Sequence, residues 1–364
     1  MTPIFIDTAE KLDQHIQSWR TAEFLAIDTE FVREQTYYPK LCLIQISAGD
    51  LNACIDPLAI KDLKPLLDLL LQPSSISVFH AASQDLEIFV RLCGQSPQPL
   101  FDTQIAAALL GYGDQLGYAG LVKKTMGIEL DKSLSRTNWA RRPLNEKELA
   151  YAADDVRYLA ELYPRLMEEL KQRGRLEWMQ QDCEALAQAD RYLVHPEREW
   201  KRLKGLARLD ANAQNIAANL AQWRETVAEK RDRPRRWILA DDALYTLAQR
   251  QPRSLDQLAD LQALPAKTLD THGAVLIGLI EQTLEENAPA RVVEKIQDDE
   301  DKKRLKRMLE RARGIAQKLE IPPSMLATRA DIEALVEHAD KADIALLRGW
   351  RREVAGEQLL GELT

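Results

Sequence analysis

An apolar run, Phe24-Leu25-Ala26-Ile27, is followed directly by Asp28-Thr29-Glu30. Side chains alternate on an extended chain, so Asp28 and Glu30 point to one face and their oxygens can reach one point in space. A further acid, Asp85, follows the run Ser75 to Phe79 and opens a helical stretch, Gln84-Asp85-Leu86-Glu87. Later, Tyr151 and Asp155 in Tyr151-Ala152-Ala153-Asp154-Asp155 are spaced i and i+4, neighbours one turn apart on a helix. Taken singly, each has an ordinary alternative: a solvated strand end, a charge that favours a helix N-terminus, an exposed polar stripe. Together, Asp28, Glu30, Asp85 and Asp155 suit two hard divalent ions, Mg²⁺ or Mn²⁺, which take oxygen ligands. A pair of such ions about 3.5–4 Å apart can hold the attacking and leaving oxygens of a phosphodiester displacement. Tyr151 would then orient the attacking water. Asp102 and Asp154 fall in the same region, but their spacing does not require a metal contact, and helix capping or an outer hydrogen bond is their default role.

Other catalytic chemistries have less support. Cys42, Cys54, Cys93 and Cys183 are scattered, as are His15, His80, His195, His272 and His338, so neither a disulfide framework nor a zinc site at the usual spacing is expected. No stretch approaches the ~20 uninterrupted apolar residues of a membrane span. Met1 to Asp13 lacks a basic start and an apolar run, so no signal peptide is read and a cytoplasmic location is expected. Net charge is −8, and the excess lies in residues 1–170, with 16 Lys+Arg against 24 Asp+Glu. Residues 201–237 instead carry 10 basic and 4 acidic residues, with Trp200, Trp223 and Trp237 in or beside the segment. That is a candidate phosphate-facing surface, formed by Lys230, Arg231, Arg233, Arg235 and Arg236 with Trp237 available to stack on an unpaired base. Trp237 is at the same time a natural core residue, and several of the arginines could pair with Asp232, Asp241 and Asp242.

These side chains need a frame. Ile4-Phe5-Ile6, Phe24 to Ile27, Leu41 to Ile46 and Asn52 to Ile55 are short apolar or alternating runs, as strands are. The last three follow one another too closely for crossover helices and should form an antiparallel meander. Helix (Asp62 to Leu71), strand (Ser75 to Phe79) and helix (Gln84 to Leu92) then predict a parallel crossover. The fold class is therefore an α/β N-terminal domain, a mixed sheet with flanking helices. From about Leu176 the helical period takes over, as in Ile216, Leu220, Trp223 and Val227, and predicts all-α modules punctuated by prolines. The charge-dense run Asp298 to Arg313 reads as a solvated helix.

The ordered motifs resemble the ribonuclease D family, in the tyrosine-bearing branch of the DEDD superfamily of 3′→5′ exonucleases. Asp28 and Glu30 match its first motif, Asp85 in His80-Ala81-Ala82-Ser83-Gln84-Asp85 its second, and Tyr151 with Asp155 its third. Tyr38 to Gln45 and Phe101-Asp102-Thr103-Gln104 are similar as well. The resemblance implies a ribonuclease-H-like fold over residues 1–170, with Asp28, Glu30, Asp85 and Asp155 as ligands of two metals and Tyr151 positioning water. It implies an RNA substrate with a free 3′ end, transfer-RNA precursors foremost, and 5′-mononucleotide products. Residues 204–286, notably Trp223-Arg224, Arg231 to Pro234 and Asp241 to Leu244, resemble the helicase-and-ribonuclease-D C-terminal (HRDC) domain, departing from it at Ala263 to Lys267. Residues 171–203 read as a helical linker, and 287–364 as a second, divergent HRDC-like domain. A monomer is the favoured state. The carboxylates cannot choose between RNA and DNA, since the chemistry at phosphorus is shared. A third alternative, a binding protein without catalysis, is disfavoured because all five active-site positions are filled by competent residues.

Overall fold

The computed structural model describes residues 3–49, 51–131, 133–134, 137–292 and 299–363. The strands are β1 (Ile4–Ile6), β2 (Phe24–Val32), β3 (Lys40–Ala48), β4 (Leu51–Ile55), β5 (Ile76–Phe79) and β6 (Leu100–Asp102). They form one sheet in the order β1-β4-β3-β2-β5-β6. β3 pairs antiparallel with β4, as the short connection requires, whereas β2, β5 and β6 run parallel. The parallel pairs are separated by the helices α1 (Ala9–Trp19), α2 (Lys64–Leu70) and α3 (Ser83–Cys93), the crossovers that a parallel sheet needs. The predicted α/β class and the helical second half are both found.

β2 lies inside the sheet and runs to Val32, so Asp28 and Glu30 sit within the strand rather than at its end. Apolar Phe31 and Val32, both with strand propensity, carry the extended chain past the acids. Three elements follow that the short apolar runs did not announce: β6, α4 (Thr103–Leu109) and α5 (Tyr118–Met126). α6 (Glu146–Gln172) is long and starts at a reciprocal capping box, in which Asn145 accepts from the Glu148 amide and Glu148 from the Asn145 amide. Its inward stripe, Val156, Leu159, Leu162 and Leu166, packs in the same core as Phe79, Phe89 and Phe101.

The chain divides into two compact units. The first comprises Met1–Val32, Leu41–Leu193 and Gln297–Thr364. α7 (Leu176–Leu186) lies in the stretch expected as a linker, yet it buries Met179 and Cys183 in this first core. The charged helix expected from Asp298 spans Asp299–Lys318, Asp298 itself lying outside the described residues. Leu305, Met308 and Ile315 from that helix join the core of the N-terminal domain, as does Trp350, which stacks on Trp178 with centroids 4.5 Å apart. Thus the last helices share the first core instead of forming one of their own.

The second unit comprises Val194–Ile296 with Arg33–Lys40, the connection from β2 to β3. We number its helices α8 (Ala211–Lys230), α9 (Arg235–Ile238), α10 (Asp241–Arg250), α11 (Leu255–Asp260) and α12 (Ala266–Glu286). Ile216, Leu220, Leu244, Leu247, Leu276 and Ile280 close its core. Tyr37 and Tyr38 of the connection donate hydroxyl hydrogen bonds to Glu225 and Glu229, and their backbone amides donate to Asp232 at 3.0 and 3.3 Å.

Candidate active site

β2 presents Asp28 and Glu30 on one face, and α6 brings Asp155 against them. A ligand oxygen from each of the three carboxylates lies within 4.8 Å of the others. These residues come from two motifs that stand more than a hundred positions apart. Asp85, in the first turn of α3, is nearly buried and stands beside this group rather than within it. Its carboxylate accepts a 2.5 Å hydrogen bond from the Thr29 hydroxyl, and it feels the charge of Asp28. All four predicted acids are therefore in one neighbourhood, with Thr29 as an anchor that the sequence pattern had not singled out.

The electrostatics of the group are unfavourable without a cation. Burial pushes the Asp28 carboxyl up to about 7 and, with the charges of Asp28 and Asp154, the Asp155 carboxyl up to about 8. Glu30 is pushed up to about 9, first by burial and then by Asp28, Asp155 and Asp85. Asp85 is also raised well above the usual carboxylate range, chiefly by burial. An all-oxygen donor set whose negative charges disfavour one another fits a hard divalent ion, which offsets them. Tyr151 is one turn before Asp155 and half-buried, with its ring stacked on buried Trp139 at 6.3 Å between centroids. Burial and then the charges of Asp155, Glu30 and Asp28 push its hydroxyl up to about 12, so it remains protonated and can donate. Trp139 lies in a loop whose sequence gave no period to follow.

The approach of Asp85 is set by the loop from β5 to α3. Ala81 has φ +56°, a left-handed conformation that costs an L residue roughly 1–2 kcal/mol. Asp102 holds this loop in place, accepting from the Ala81 and Ala82 amides at 3.1 and 2.9 Å while capping α4 through Gln104 N at 2.8 Å. Its default capping role is what the geometry gives it. Asp154, by contrast, is half-exposed and pairs with Arg157 at 3.3 Å. Tyr118, the first residue of α5, was not singled out by sequence, yet its hydroxyl donates to the backbone carbonyls of Asp155 and Asp154, the latter at 3.1 Å.

In the second unit, Lys230, Arg231, Arg233 and Arg236 are exposed around α9. Trp237 is 51% exposed, a correction to its expectation as core: Ile238 and Leu239 take the inward positions. Arg233 lies over its ring, 5.9 Å from the centroid. Arg231 places an NH 3.2 Å from His272 Nε2. Arg235 differs from its neighbours in being committed to buried Glu225 through two hydrogen bonds, which leaves it a structural more than a contacting role.

Comparison with known proteins extends these observations. A family described as 3′-5′ exonuclease matches residues 3–171, and the HRDC domain matches residues 213–280. Ribonuclease D of Sphingobium indicum is 36% identical over 361 residues, covering 97% of this chain and 92% of that protein. Ribonuclease D of Zymomonas mobilis is 39% identical, covering 93% and 88%. The crystal structure of Escherichia coli RNase D, described as an exoribonuclease involved in structured RNA processing, superposes with a TM-score of 0.92 at 34% identity, covering 100% of this chain and 99% of that one.

Proposed function

Because this chain belongs to the ribonuclease D family and is a 3′-5′ exoribonuclease, we propose that it hydrolyses RNA from the 3′ end by a two-metal mechanism, releasing 5′-mononucleotides, with transfer-RNA precursors among its substrates. The observation that carries this is the meeting of Asp28, Glu30 and Asp155, with Asp85 at their side. Two divalent ions, Mg²⁺ or Mn²⁺, bound there would supply Lewis-acid stabilisation of the attacking and leaving oxygens. Asp28, Glu30, Asp85 and Asp155 would hold them. Tyr151 keeps its proton and donates a hydrogen bond that orients the attacking water, supported from behind by Trp139. Transfer-RNA precursors come from the family resemblance, and the structured-RNA role described for the Escherichia coli relative agrees with them.

A 5′-labelled single strand of RNA with a free 3′ hydroxyl tests the direction and products. Incubated with Mg²⁺ or Mn²⁺, it should shorten stepwise from the 3′ end and release mononucleotides, while a DNA of the same sequence is cut more slowly. Internal cuts, or equal rates on a 3′-blocked RNA, would refute the assignment.

We also assign the second unit a share in RNA binding, through Lys230, Arg231, Arg233 and Arg236, with Arg235 as a fixed support and Trp237 as a stacking surface. The two contributions separate by salt. Lys230→Ala with Arg236→Ala should weaken binding to a tailed RNA and reduce the slope of log affinity against log salt by about 0.7–0.9 per lost phosphate contact. Trp237→Ala should cost about 1–3 kcal/mol of affinity and leave the slope alone, since stacking releases no counterion. An unchanged slope in the double variant removes those two residues from the phosphate surface.

A further inference from the structure

Two stretches of the sequence, His80 to Ser83 and Phe101 to Gln104, are left without a role by the metal site itself. In the structure they form a frame of hydrogen bonds and one ring contact that ends on the backbone of a candidate metal ligand. The Thr103 hydroxyl donates to the Phe79 carbonyl at 3.1 Å. With that proton engaged, its oxygen can accept from His80 Nδ1, 2.9 Å away. The rings of His80 and Tyr118 meet in an edge-to-face arrangement, with centroids 5.5 Å apart and planes at 61°. The Tyr118 hydroxyl then reaches into α6 and donates to the Asp155 carbonyl.

That last contact is unusual in position. In a regular helix the Asp155 carbonyl accepts from the amide four residues on, at Leu159. A carbonyl oxygen has two lone pairs, so the Tyr118 hydroxyl can share the Asp155 carbonyl with the helix's own ladder. A side chain of α5 that bonds two successive carbonyls of α6 ties the local path of that helix to α5.

We infer that Tyr118 is a positioning residue for the metal site: backed by His80 and Thr103, its hydroxyl holds the backbone of α6 at Asp155 and so fixes where that carboxylate stands against Asp28 and Glu30. The inference rests on the two-metal reading above. It gives the second motif a function beyond supplying Asp85, because the segment between β5 and Asp85 also carries His80, which backs Tyr118. Tyr118 touches neither substrate nor metal in this role. Its effect is on the geometry of a ligand, as outer-sphere partners have on metal affinity.

The test is Tyr118→Phe in the full chain, which keeps the ring on His80 and removes only the hydroxyl. Mn²⁺ binding is read directly from the spectrum of free Mn²⁺, and turnover separately on a short single-stranded RNA. The dissociation constant for Mn²⁺ should rise and kcat fall, each by about 10-fold, with KM for the RNA and the metal-free melting curve unchanged. Unchanged Mn²⁺ binding and kcat overturn the role. A lowered melting temperature with KM and kcat shifted together also overturns it, since that is the signature of a general packing defect. A wild-type chain that takes up no Mn²⁺ would instead sink the two-metal reading, and the positioning role with it; Asp155→Asn, which deletes the ligand itself, sets the limit of complete loss on the same scale.

Discussion

Asp155→Asn is expected to abolish hydrolysis almost completely while the chain stays folded. The substitution keeps the shape of the side chain on α6 and removes one ligand charge from a group whose oxygens meet within 4.8 Å. A bound ion contributes several kcal/mol of transition-state stabilisation, so its loss lowers the single-turnover rate on the order of 10³-fold or more. The same change should make the metal-free protein slightly more stable above pH 8, because the carboxyl it removes is pushed up to about 8 by burial and neighbouring acids. Tyr151→Phe should be milder, about 10²-fold, since under the proposed mechanism it deletes a hydroxyl that orients water and leaves every carboxylate in place. Its stacking on Trp139 survives in the phenylalanine. Both variants are compared at saturating metal and RNA. Equal losses would contradict separate roles for ligand and orienting hydroxyl, and a destabilised Asp155→Asn would contradict the electrostatic account of the site.

What the sequence made legible follows from what periodicity carries. A period of two placed Asp28 and Glu30 on one face, and a period of 3.6 placed Tyr151 over Asp155, because both relations are local. Asp85 was legible as a helix-opening acid, but not the Thr29 hydroxyl that holds it, since Thr29 points away from its strand neighbours and finds Asp85 from 56 positions off. Tyr118 and Trp139 were missed for the same reason. Each lies in a stretch without a strong period, and its importance comes from a contact with α6 that only the tertiary fold supplies.

The domain layout illustrates the limit at a larger scale. Amphipathic helices state that they have an apolar face and not which core will cover it. Residues 287–364 read as a further helical domain, yet Met308, Ile315 and Trp350 lie in the core of the N-terminal sheet domain. Arg351 confirms the attachment with an ion pair to Asp182 of α7. Conversely, the run from Tyr38 to Gln45 reads as one motif, and the structure divides it: Tyr38 belongs with α8, and Leu41 onward belongs to the sheet. A truncation that removes everything after residue 200 would therefore strip buried side chains from the catalytic unit as well as removing the helices of the second unit, so point substitutions separate the two effects better.

Metal affinity is expected to climb steeply with pH. In the folded, metal-free chain, Asp28, Asp155 and Glu30 titrate at about 7, 8 and 9, against roughly 4 for unfolded carboxyls. A raised folded value means that the protonated form is the one the fold accommodates. The stability these groups permit is therefore fully present below about pH 4 and is lost as pH rises through 7 to 9, where the chain must hold like charges in a buried cluster. A divalent ion reverses the sign, because it binds the deprotonated form and displaces the remaining protons. From pH 6.5 to pH 8.5 the protons to be displaced from Asp155 and Glu30 become fewer, and affinity for Mg²⁺ or Mn²⁺ should rise by about 10²-fold or more. Melting curves with and without metal check this at three pH values across that window. The metal-free curve should shift to lower temperature as pH rises, and the gain on adding metal should widen. If the metal-free protein instead gained stability over this range, the acids would have to be ionised and compensated by the protein alone, and the crowding of carboxylates around Glu30 would not be what prepares the site for a cation.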